Sequence, residues 1–225
     1  SNNASGSVTI TGSEADINAT LATLTYTSNQ DYSGSDLVTI VSTDSDEIAE
    51  VANNYGAEVP FLRPKELADD FVGNHKVMRH AINWLENIIG KIDYTCCIYP
   101  AAPLIEKNDL LKGYELIKTG KWDSVMAATS FSYPIFRSFK KLSNNGLKMI
   151  FPEHYYSRSQ DLPKIFHDAG LFDWVKPDVW KKEPQGYNEK NSIIEIPNYR
   201  VQDIDTFEDW KKAEILYEIL KRNNF

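Results

Sequence analysis

The protein has 225 residues, of which 42% are hydrophobic, and a formal net charge of −8 at pH 7. A chain of this length and composition can bury one substantial core. The negative charge argues against general nucleic-acid binding, and no apolar run reaches the roughly 18 residues that a membrane span needs. The first residues have neither the basic nor the apolar stretch of a secretory signal, so we expect no leader peptide.

The two cysteines, Cys96 and Cys97, are adjacent in a segment with the composition of a β-strand. Neighbouring side chains of a strand point to opposite faces of the sheet, so we expect these two not to bridge each other. Free cysteines are typical of a reducing compartment. We therefore expect a cytoplasmic protein.

Residues 1–37 differ in composition from the rest of the chain. They are rich in Ser, Thr, Asn and Gly, with alternating strand-like patterns at 7–11 and 23–28 and a short predicted helix at 13–24. No Lys or Arg precedes Arg63, whereas acidic residues are frequent there. A site for a polyphosphate would need cations that this segment does not supply.

From about residue 38 onward, predicted strands and helices alternate. Apolar runs predict strands at 37–42, 58–62, 94–100, 122–131 and 191–197, and periodic patterns predict helices at 44–56, 77–89, 106–120 and 206–222. This alternation predicts an α/β fold with a mostly parallel sheet and helices on both faces.

Two further features shape the second half of the chain. Residues 131–175 are irregular and aromatic, and we interpret them as an inserted subdomain. In the last helix, Thr206 is the predicted N-cap, and the spacing of Trp210, Ala213, Tyr217 and Leu220 places them towards the core.

The segment "RVQDIDTFEDW" contains two aspartates, Asp203 and Asp205, just before the last helix. Residues two apart on an extended segment point to the same side, and paired carboxylates there suit a hard cation such as Mg²⁺. The alternative is a turn aspartate followed by a helix-capping one. The pattern alone does not separate the two.

The segment "SRSQDLPKIFHDAG" contains Arg158, Gln160 and His167 among aromatic residues. A guanidinium can hold a carboxylate with two hydrogen bonds, so Arg158 is a candidate clamp for an acidic substrate. The alternative is an exposed polar loop. His167 is either a general base or a structural hydrogen-bonding residue.

Other polar residues lie at or just after the ends of predicted strands: Ser42, Asp44, Arg63 and Tyr99. In an open α/β sheet, ligands bind outside the carboxyl ends of the strands. These positions are therefore compatible with a ligand site.

Four motifs, "VSTDSDEIAEVANNYGAEVPFLRPKELADD", "CCIYPAAPL", "SRSQDLPKIFHDAG" and "VQDIDTFEDWKKAE", together resemble the acylneuraminate cytidylyltransferase family, and most closely its pseudaminic acid branch. The resemblance spans about residues 38–221. It implies a three-layer, Rossmann-like nucleotide-diphospho-sugar transferase fold. It also implies that CTP and a nine-carbon sugar acid react, with Mg²⁺, to give the CMP-sugar and pyrophosphate.

The resemblance assigns roles to individual residues. Asp203 and Asp205 match the metal-binding aspartates and Arg63 an arginine near the nucleotide base, with Ser42 and Asp44 in the same nucleotide region. The positions that match the sugar site are Tyr99, Ala101, Arg158, Gln160 and His167. Members usually form homodimers through the part that corresponds to about 130–165. Ala101 departs from the family pattern, where Thr is more usual.

The start of the chain is the larger departure from the family pattern. Members open with an Arg/Lys-rich loop that holds the CTP triphosphate, whereas residues 7–37 here resemble the end of a bacterial cadherin-like adhesion repeat. We therefore divide the chain into an atypical segment at 1–37 and a cytidylyltransferase domain at 38–225. We expect weakened CTP binding and impaired activity. The alternative function is a non-catalytic, adhesion-type or scaffold fusion.

Overall fold

The protein is described by a computed structural model that covers residues 39–69 and 71–223. The elements predicted within residues 1–37 lie outside the described residues. The chain divides into two compact units, residues 1–93 and 94–225.

In the first unit, two short extended segments pair in parallel. Single bridges join Ile40 to Glu58 and Thr43 to Leu62, and the Arg63 amide donates to the Thr43 carbonyl at 2.6 Å. The described part of the predicted strand at 37–42 and the predicted strand at 58–62 are thus adjacent and parallel, but they form isolated bridges rather than a ladder.

Two helices follow these extended segments. Helix α1 (Asp46–Asn54) begins after Ser45, whose hydroxyl accepts a hydrogen bond from the Ile48 amide. Helix α2 (Asn74–Ile89) buries Ala81 and Ile82. The Phe61 ring packs against two rings of α2, with centroids 5.1 Å from both His80 and Trp84. This contact fixes α2 against the second extended segment.

The second unit is built on a four-stranded sheet of order β1-β5-β2-β6. Its strands are β1 (Thr95–Ile98), β2 (Ser124–Ser130), β5 (Phe166–Val175) and β6 (Asn191–Glu195). Strand β2 pairs in parallel with β6, whereas β5 runs antiparallel to both β1 and β2. Three strands therefore share one direction and β5 opposes them, so the sheet is mixed, with one parallel and two antiparallel pairings.

The position of β5 corrects one expectation. Residues 131–175 were predicted to be irregular, but the last ten of them form this central strand. The strand was hidden because Asp168, Gly170 and Asp173 interrupt its apolar pattern. Gly170 has a φ of +61°, and the register with β2 shifts between Met126 and Ala128, so the strand is irregular at its middle.

The core of this unit lies between the sheet and helix α3 (Lys107–Lys118). The buried cluster comprises Ala102, Ala127, Ala169, Leu171, Phe172 and Ile196. Gly113 of α3 is required by close packing, because a β-carbon there would stand 2.6 Å from the Trp174 ring. The Trp174 indole donates to the Leu110 carbonyl at 3.0 Å, which ties α3 to β5.

The remaining elements lie around this core. Strands β3 (Phe139–Lys141) and β4 (Leu147–Met149) form a separate two-stranded hairpin. Helix α4 (Pro177–Trp180) is a single turn, and α5 (Phe207–Asn223) closes the chain. Among the described residues, no helix is long and apolar enough to cross a membrane.

Helix α5 differs from its predicted orientation. Ala213 is buried as predicted, but Trp210 and Tyr217 are 53% and 51% exposed. The less exposed stripe runs through Ala213 and Leu220, both as predicted, and through Leu216 in place of Tyr217. The apolar pattern of α5 is broad enough to fit both stripes, so spacing alone selected the wrong edge.

Candidate active site

The two aspartates lie on the segment that joins β6 to α5. A short 3₁₀-helix at Asn198–Arg200 follows β6, and the chain then runs without regular structure to the start of α5. A β-carbon on Gly170 of β5 would stand 3.8 Å from Oδ1 of Asp203. The Asp203 carboxylate therefore lies beside the irregular middle of the central strand.

Neither aspartate caps the helix. The cap is Thr206, whose hydroxyl accepts a hydrogen bond from the Asp209 amide at 3.2 Å, while the Thr206 amide donates to Asp209 Oδ2 at 3.0 Å. This reciprocal pair is a capping box. No described residue makes a hydrogen bond or ion pair to the carboxylates of Asp203 or Asp205. Neither aspartate therefore has the capping role of the alternative interpretation, and their exposed carboxylates fit both a turn and a metal site.

The exposed carboxylates suit a hard divalent cation. Both keep all their oxygen lone pairs available, and Mg²⁺ is commonly held by one or two carboxylates while it retains waters and binds substrate phosphates. No group of three or more His, Cys, Asp or Glu side chains in the described part of the chain is arranged to hold a metal ion. A site here would therefore depend on water and substrate for its remaining ligands.

Tyr99 lies just after β1 and is tied to β5. Its hydroxyl donates to Asp173 Oδ2 at 2.9 Å, and its amide donates to the Leu171 carbonyl at 3.0 Å. Burial raises the pKa of Asp173 to about 6, the Tyr99 hydrogen bond lowers it, and the nearby Asp168 raises it further. Ala101 follows in the turn after Tyr99 and is half-buried.

His167 is placed by backbone contacts on β5. Its Nδ1 lies 2.8 Å from the Asp168 carbonyl oxygen, so in the tautomer protonated at Nδ1 the ring donates to this carbonyl. Its ring centroid is 4.7 Å from that of Phe131. These contacts leave Nε2 as the acceptor of the ring. Both the structural and the chemical interpretation of His167 are compatible with this arrangement.

Arg158 is engaged locally. Its Nε and Nη2 donate to the two oxygens of Asp161 at 2.6 and 2.9 Å, on an exposed segment. Gln160 lies between them in a short 3₁₀-helix and is exposed. Among the described residues, no hydrogen bond joins Arg158 or Gln160 to Tyr99 or the aspartates. The local pair is what the exposed-loop alternative predicts.

The nucleotide candidates Ser42, Asp44 and Arg63 lie close together in the first unit. Arg63 Nη2 donates to Asp44 Oδ1 at 2.6 Å, and this hydrogen bond lowers the pKa of Asp44. The Arg63 Nε and the Ser42 hydroxyl are buried and have no hydrogen-bond partner within the described part of the chain. Arg63 is therefore already paired with a carboxylate through one nitrogen.

Several polar residues around the aspartates escaped the sequence reasoning. Arg200 and Asp109 form a buried ion pair, and Gln202 bonds to the backbone at Asp203. Asp173 lay in the segment that was interpreted as an insertion. The only sequence signal was the polar pair Arg200 and Gln202, two residues apart and directly before the aspartates in "YRVQDID".

Comparison with known proteins decides the family. A family model described as "Cytidylyltransferase" matches residues 27–222, most of the chain. The chain belongs to the cytidylyltransferase family. This membership confirms the resemblance and identifies the chain as an enzyme of this type. The match begins within residues 1–37, the segment that differs in composition from the rest of the chain.

Curated members of the cytidylyltransferase family match over most of the chain. Pseudaminic acid cytidylyltransferase of Campylobacter jejuni (strain 81-176) is 39% identical over 186 residues, which cover 83% of this chain and 80% of that protein. A Helicobacter pylori protein named pseudaminic acid cytidylyltransferase and UDP-2,4-diacetamido-2,4,6-trideoxy-β-L-altropyranose hydrolase is 35% identical over 175 residues. These cover 77% of this chain and 33% of that protein.

Among solved structures, this cytidylyltransferase is similar to CMP:2-keto-3-deoxy-manno-octonic acid synthetase complexed with CTP. The TM-score is 0.56 and the identity 11%, with 83% of this chain and 82% of the other chain covered. The likeness confirms the predicted α/β fold. At this identity it carries no information about substrate.

Proposed function

We propose that the chain transfers CMP from CTP to a nonulosonic acid of the pseudaminic or sialic acid type, and releases pyrophosphate. The observation that carries this proposal is that the carboxylates of Asp203 and Asp205 have no partner among the described residues, with Asp203 beside Gly170, in a chain that belongs to the cytidylyltransferase family. Similarity to pseudaminic acid cytidylyltransferases favours pseudaminic acid as the substrate.

The reaction needs little covalent participation by the protein. The anomeric hydroxyl of the sugar acid attacks the α-phosphorus of CTP, the bond from that phosphorus to the α,β-bridging oxygen breaks, and the hydroxyl proton passes to a base or to solvent. Catalysis of such a transfer depends on positioning and charge stabilisation. Mg²⁺, held by Asp203 and Asp205, would neutralise charge on the phosphate oxygens.

The sugar acid would lie near Tyr99, Ala101 and His167. The hydrogen bond to Asp173 holds the Tyr99 side chain in place, so this side chain restricts the space for the sugar acid. His167 can accept a hydrogen bond from a sugar hydroxyl through Nε2. Arg158 and Gln160 would hold the sugar carboxylate only after Arg158 exchanges its Asp161 partner for the substrate.

CTP would be bound weakly. No Lys or Arg precedes Arg63 in the sequence, and Arg63 itself is paired with Asp44. Each missing charge-assisted contact to the triphosphate is worth roughly 1.5–3 kcal/mol. We therefore infer that CTP affinity is several orders of magnitude below that of a member with an Arg/Lys-rich loop, and that turnover is impaired.

The β3–β4 hairpin supports a homodimer. Phe139 and Leu147 are 60% and 64% exposed on it. Exposed apolar residues grouped in this way commonly mark a protein interface. We expect light scattering to give a dimer mass for the native chain and a monomer mass for Leu147→Asp.

The two free cysteines are consistent with the cytoplasm, where CTP is available.

The deciding experiment measures pyrophosphate release with CTP, Mg²⁺ and either pseudaminic acid or N-acetylneuraminic acid. We expect slow release, faster with pseudaminic acid, at millimolar CTP. If the chain binds Mg²⁺ but releases no pyrophosphate with either sugar, the result would favour the non-catalytic scaffold function. Calorimetric titration of CTP then separates weak substrate binding from slow chemistry.

A further inference from the structure

A buried ion pair lies directly upstream of the two aspartates. Arg200 donates from Nη1 and Nη2 to the two carboxylate oxygens of Asp109, at 2.7 and 3.0 Å. Arg200 is 7% exposed and Asp109 only 2%. Arg200 Nη1 also lies 3.0 Å from a carboxylate oxygen of Glu106. A guanidinium with two parallel hydrogen bonds is held in both position and orientation.

This pair joins two parts of the fold that are far apart in sequence. Arg200 ends the 3₁₀-helix that follows β6, three residues before Asp203. Asp109 lies in the first turn of α3, which follows the turn containing Ala101. The pair therefore anchors the start of the aspartate segment to the helix on the sheet.

The other end of the aspartate segment is also held. Gln202, buried, donates from Nε2 to the Asp203 carbonyl at 2.6 Å and to Asp209 Oδ1 at 3.0 Å. Asp209 in turn forms the capping box with Thr206. The backbone that carries Asp203 and Asp205 is thus fixed on both sides, while their carboxylates remain unpaired.

We propose that Arg200 is a positioning residue which, through Asp109, fixes the backbone of Asp203 and Asp205 for binding a divalent cation. This inference rests on the proposed function of the aspartates. Stability alone does not explain the pair, because replacing a buried ion pair with apolar residues is often neutral or stabilising. The Arg200–Asp109 ion pair also fixes the orientation of the backbone next to Asp203. Groups that orient metal ligands typically contribute 10–100-fold to metal affinity.

The test compares Mn²⁺ binding, measured by the EPR signal of free Mn²⁺, with stability measured by urea denaturation. Arg200→Lys keeps the charge but loses the two-pronged geometry, and we expect Mn²⁺ affinity to fall about 10–100-fold. The double variant Asp109→Leu with Arg200→Met replaces the buried charges by apolar groups. We expect this double variant to regain stability but still to bind Mn²⁺ weakly. An ion pair with only a structural role would not separate these two properties.

Lys176→Met is the matched control, because it breaks the partly exposed Lys176–Asp123 pair in the same unit. It should leave Mn²⁺ affinity unchanged. Native affinity in a folded Arg200→Lys or double variant would overturn the positioning role alone. Absence of Mn²⁺ binding by the native chain both alone and at millimolar CTP would overturn the metal site of the proposed function and the positioning role with it.

Discussion

The Asp203 carboxylate lies against the backbone of Gly170, where a β-carbon would stand 3.8 Å from Asp203 Oδ1. Because the φ of Gly170 is +61°, in the left-handed region, a side chain there is strained. We expect Gly170→Ala to lower the free energy of unfolding by about 1–2 kcal/mol. The methyl group also covers one side of the carboxylate, so Mn²⁺ binding should weaken as well.

Gly120→Ala distinguishes the effect of backbone strain at a positive φ from the effect of a methyl group close to Asp203. Gly120 has a φ of +75°, and nothing lies within 4 Å of an added β-carbon. Urea denaturation should give a similar loss of stability, with native Mn²⁺ affinity by EPR. If both alanine variants lose Mn²⁺ affinity equally, the contact between Gly170 and Asp203 has no part in binding.

Asp203→Asn and Asp205→Asn should each abolish Mn²⁺ binding and pyrophosphate release, because a neutral amide is a poor ligand for a hard cation. Neither carboxylate pairs with a described residue, so the free energy of unfolding should stay within about 0.5 kcal/mol of the native value. Calorimetry with Mn²⁺ and urea denaturation measure the two effects. Turnover that persists in Asp203→Asn refutes the metal assignment.

Glu208→Gln provides the matched control for these substitutions. Glu208 is an exposed carboxylate in the first turn of α5, close in sequence to the aspartates. Its replacement removes one negative charge from the same region without touching the proposed ligands. Native Mn²⁺ affinity in this variant would assign the effect to the two aspartates rather than to net charge.

The parts of the fold that could be predicted are those in which local sequence and tertiary packing agree. Strand β2 is a short apolar run that is buried along most of its length. Thr206 is a capping residue with an acidic residue three positions later, and the structure confirms this cap. In these elements the chemistry of a few neighbouring residues decides the local conformation.

Strand β5 could not be predicted in the same way, because its stability comes from both neighbours in the sheet. Asp173 occupies a central position only because Tyr99 donates to it across the β1–β5 pair. Likewise, Arg200 and Asp109 are 91 residues apart and meet only once α3 packs on the sheet. Partners that are distant in sequence leave no local pattern, so the supporting shell of the candidate site was missed.

The Thr206 cap gives a prediction about stability without loss of metal ligands. Thr206→Ala removes the acceptor for the Asp209 amide and should cost about 1 kcal/mol in the free energy of unfolding. Thr206→Ser keeps the hydroxyl and should stay near the native value. Urea denaturation at neutral pH compares the three proteins, and equal stability of the Ala and Ser variants would contradict a capping role.

The buried Asp173 gives a prediction about pH. Burial raises its pKa to about 6 in the native state, whereas an unfolded aspartate titrates at about 3.9. The native state therefore keeps the Asp173 proton up to a higher pH than the unfolded state does. The stabilisation that this bound proton contributes falls as pH rises from about 4 to 6. Relative to the native chain, Asp173→Asn should gain stability across this range, by on the order of 1–3 kcal/mol at pH 7.

Tyr99→Phe tests the direction of this coupling. The Tyr99 hydroxyl lowers the pKa of Asp173, so its removal should raise that pKa and move the fall in stability to higher pH. Urea denaturation at pH values between about 4 and 8 follows both variants against the native chain. If the native and Asp173→Asn stability curves run parallel over this range, Asp173 does not titrate as proposed. A shift to lower pH in Tyr99→Phe would mean that the hydroxyl stabilises the protonated carboxyl instead.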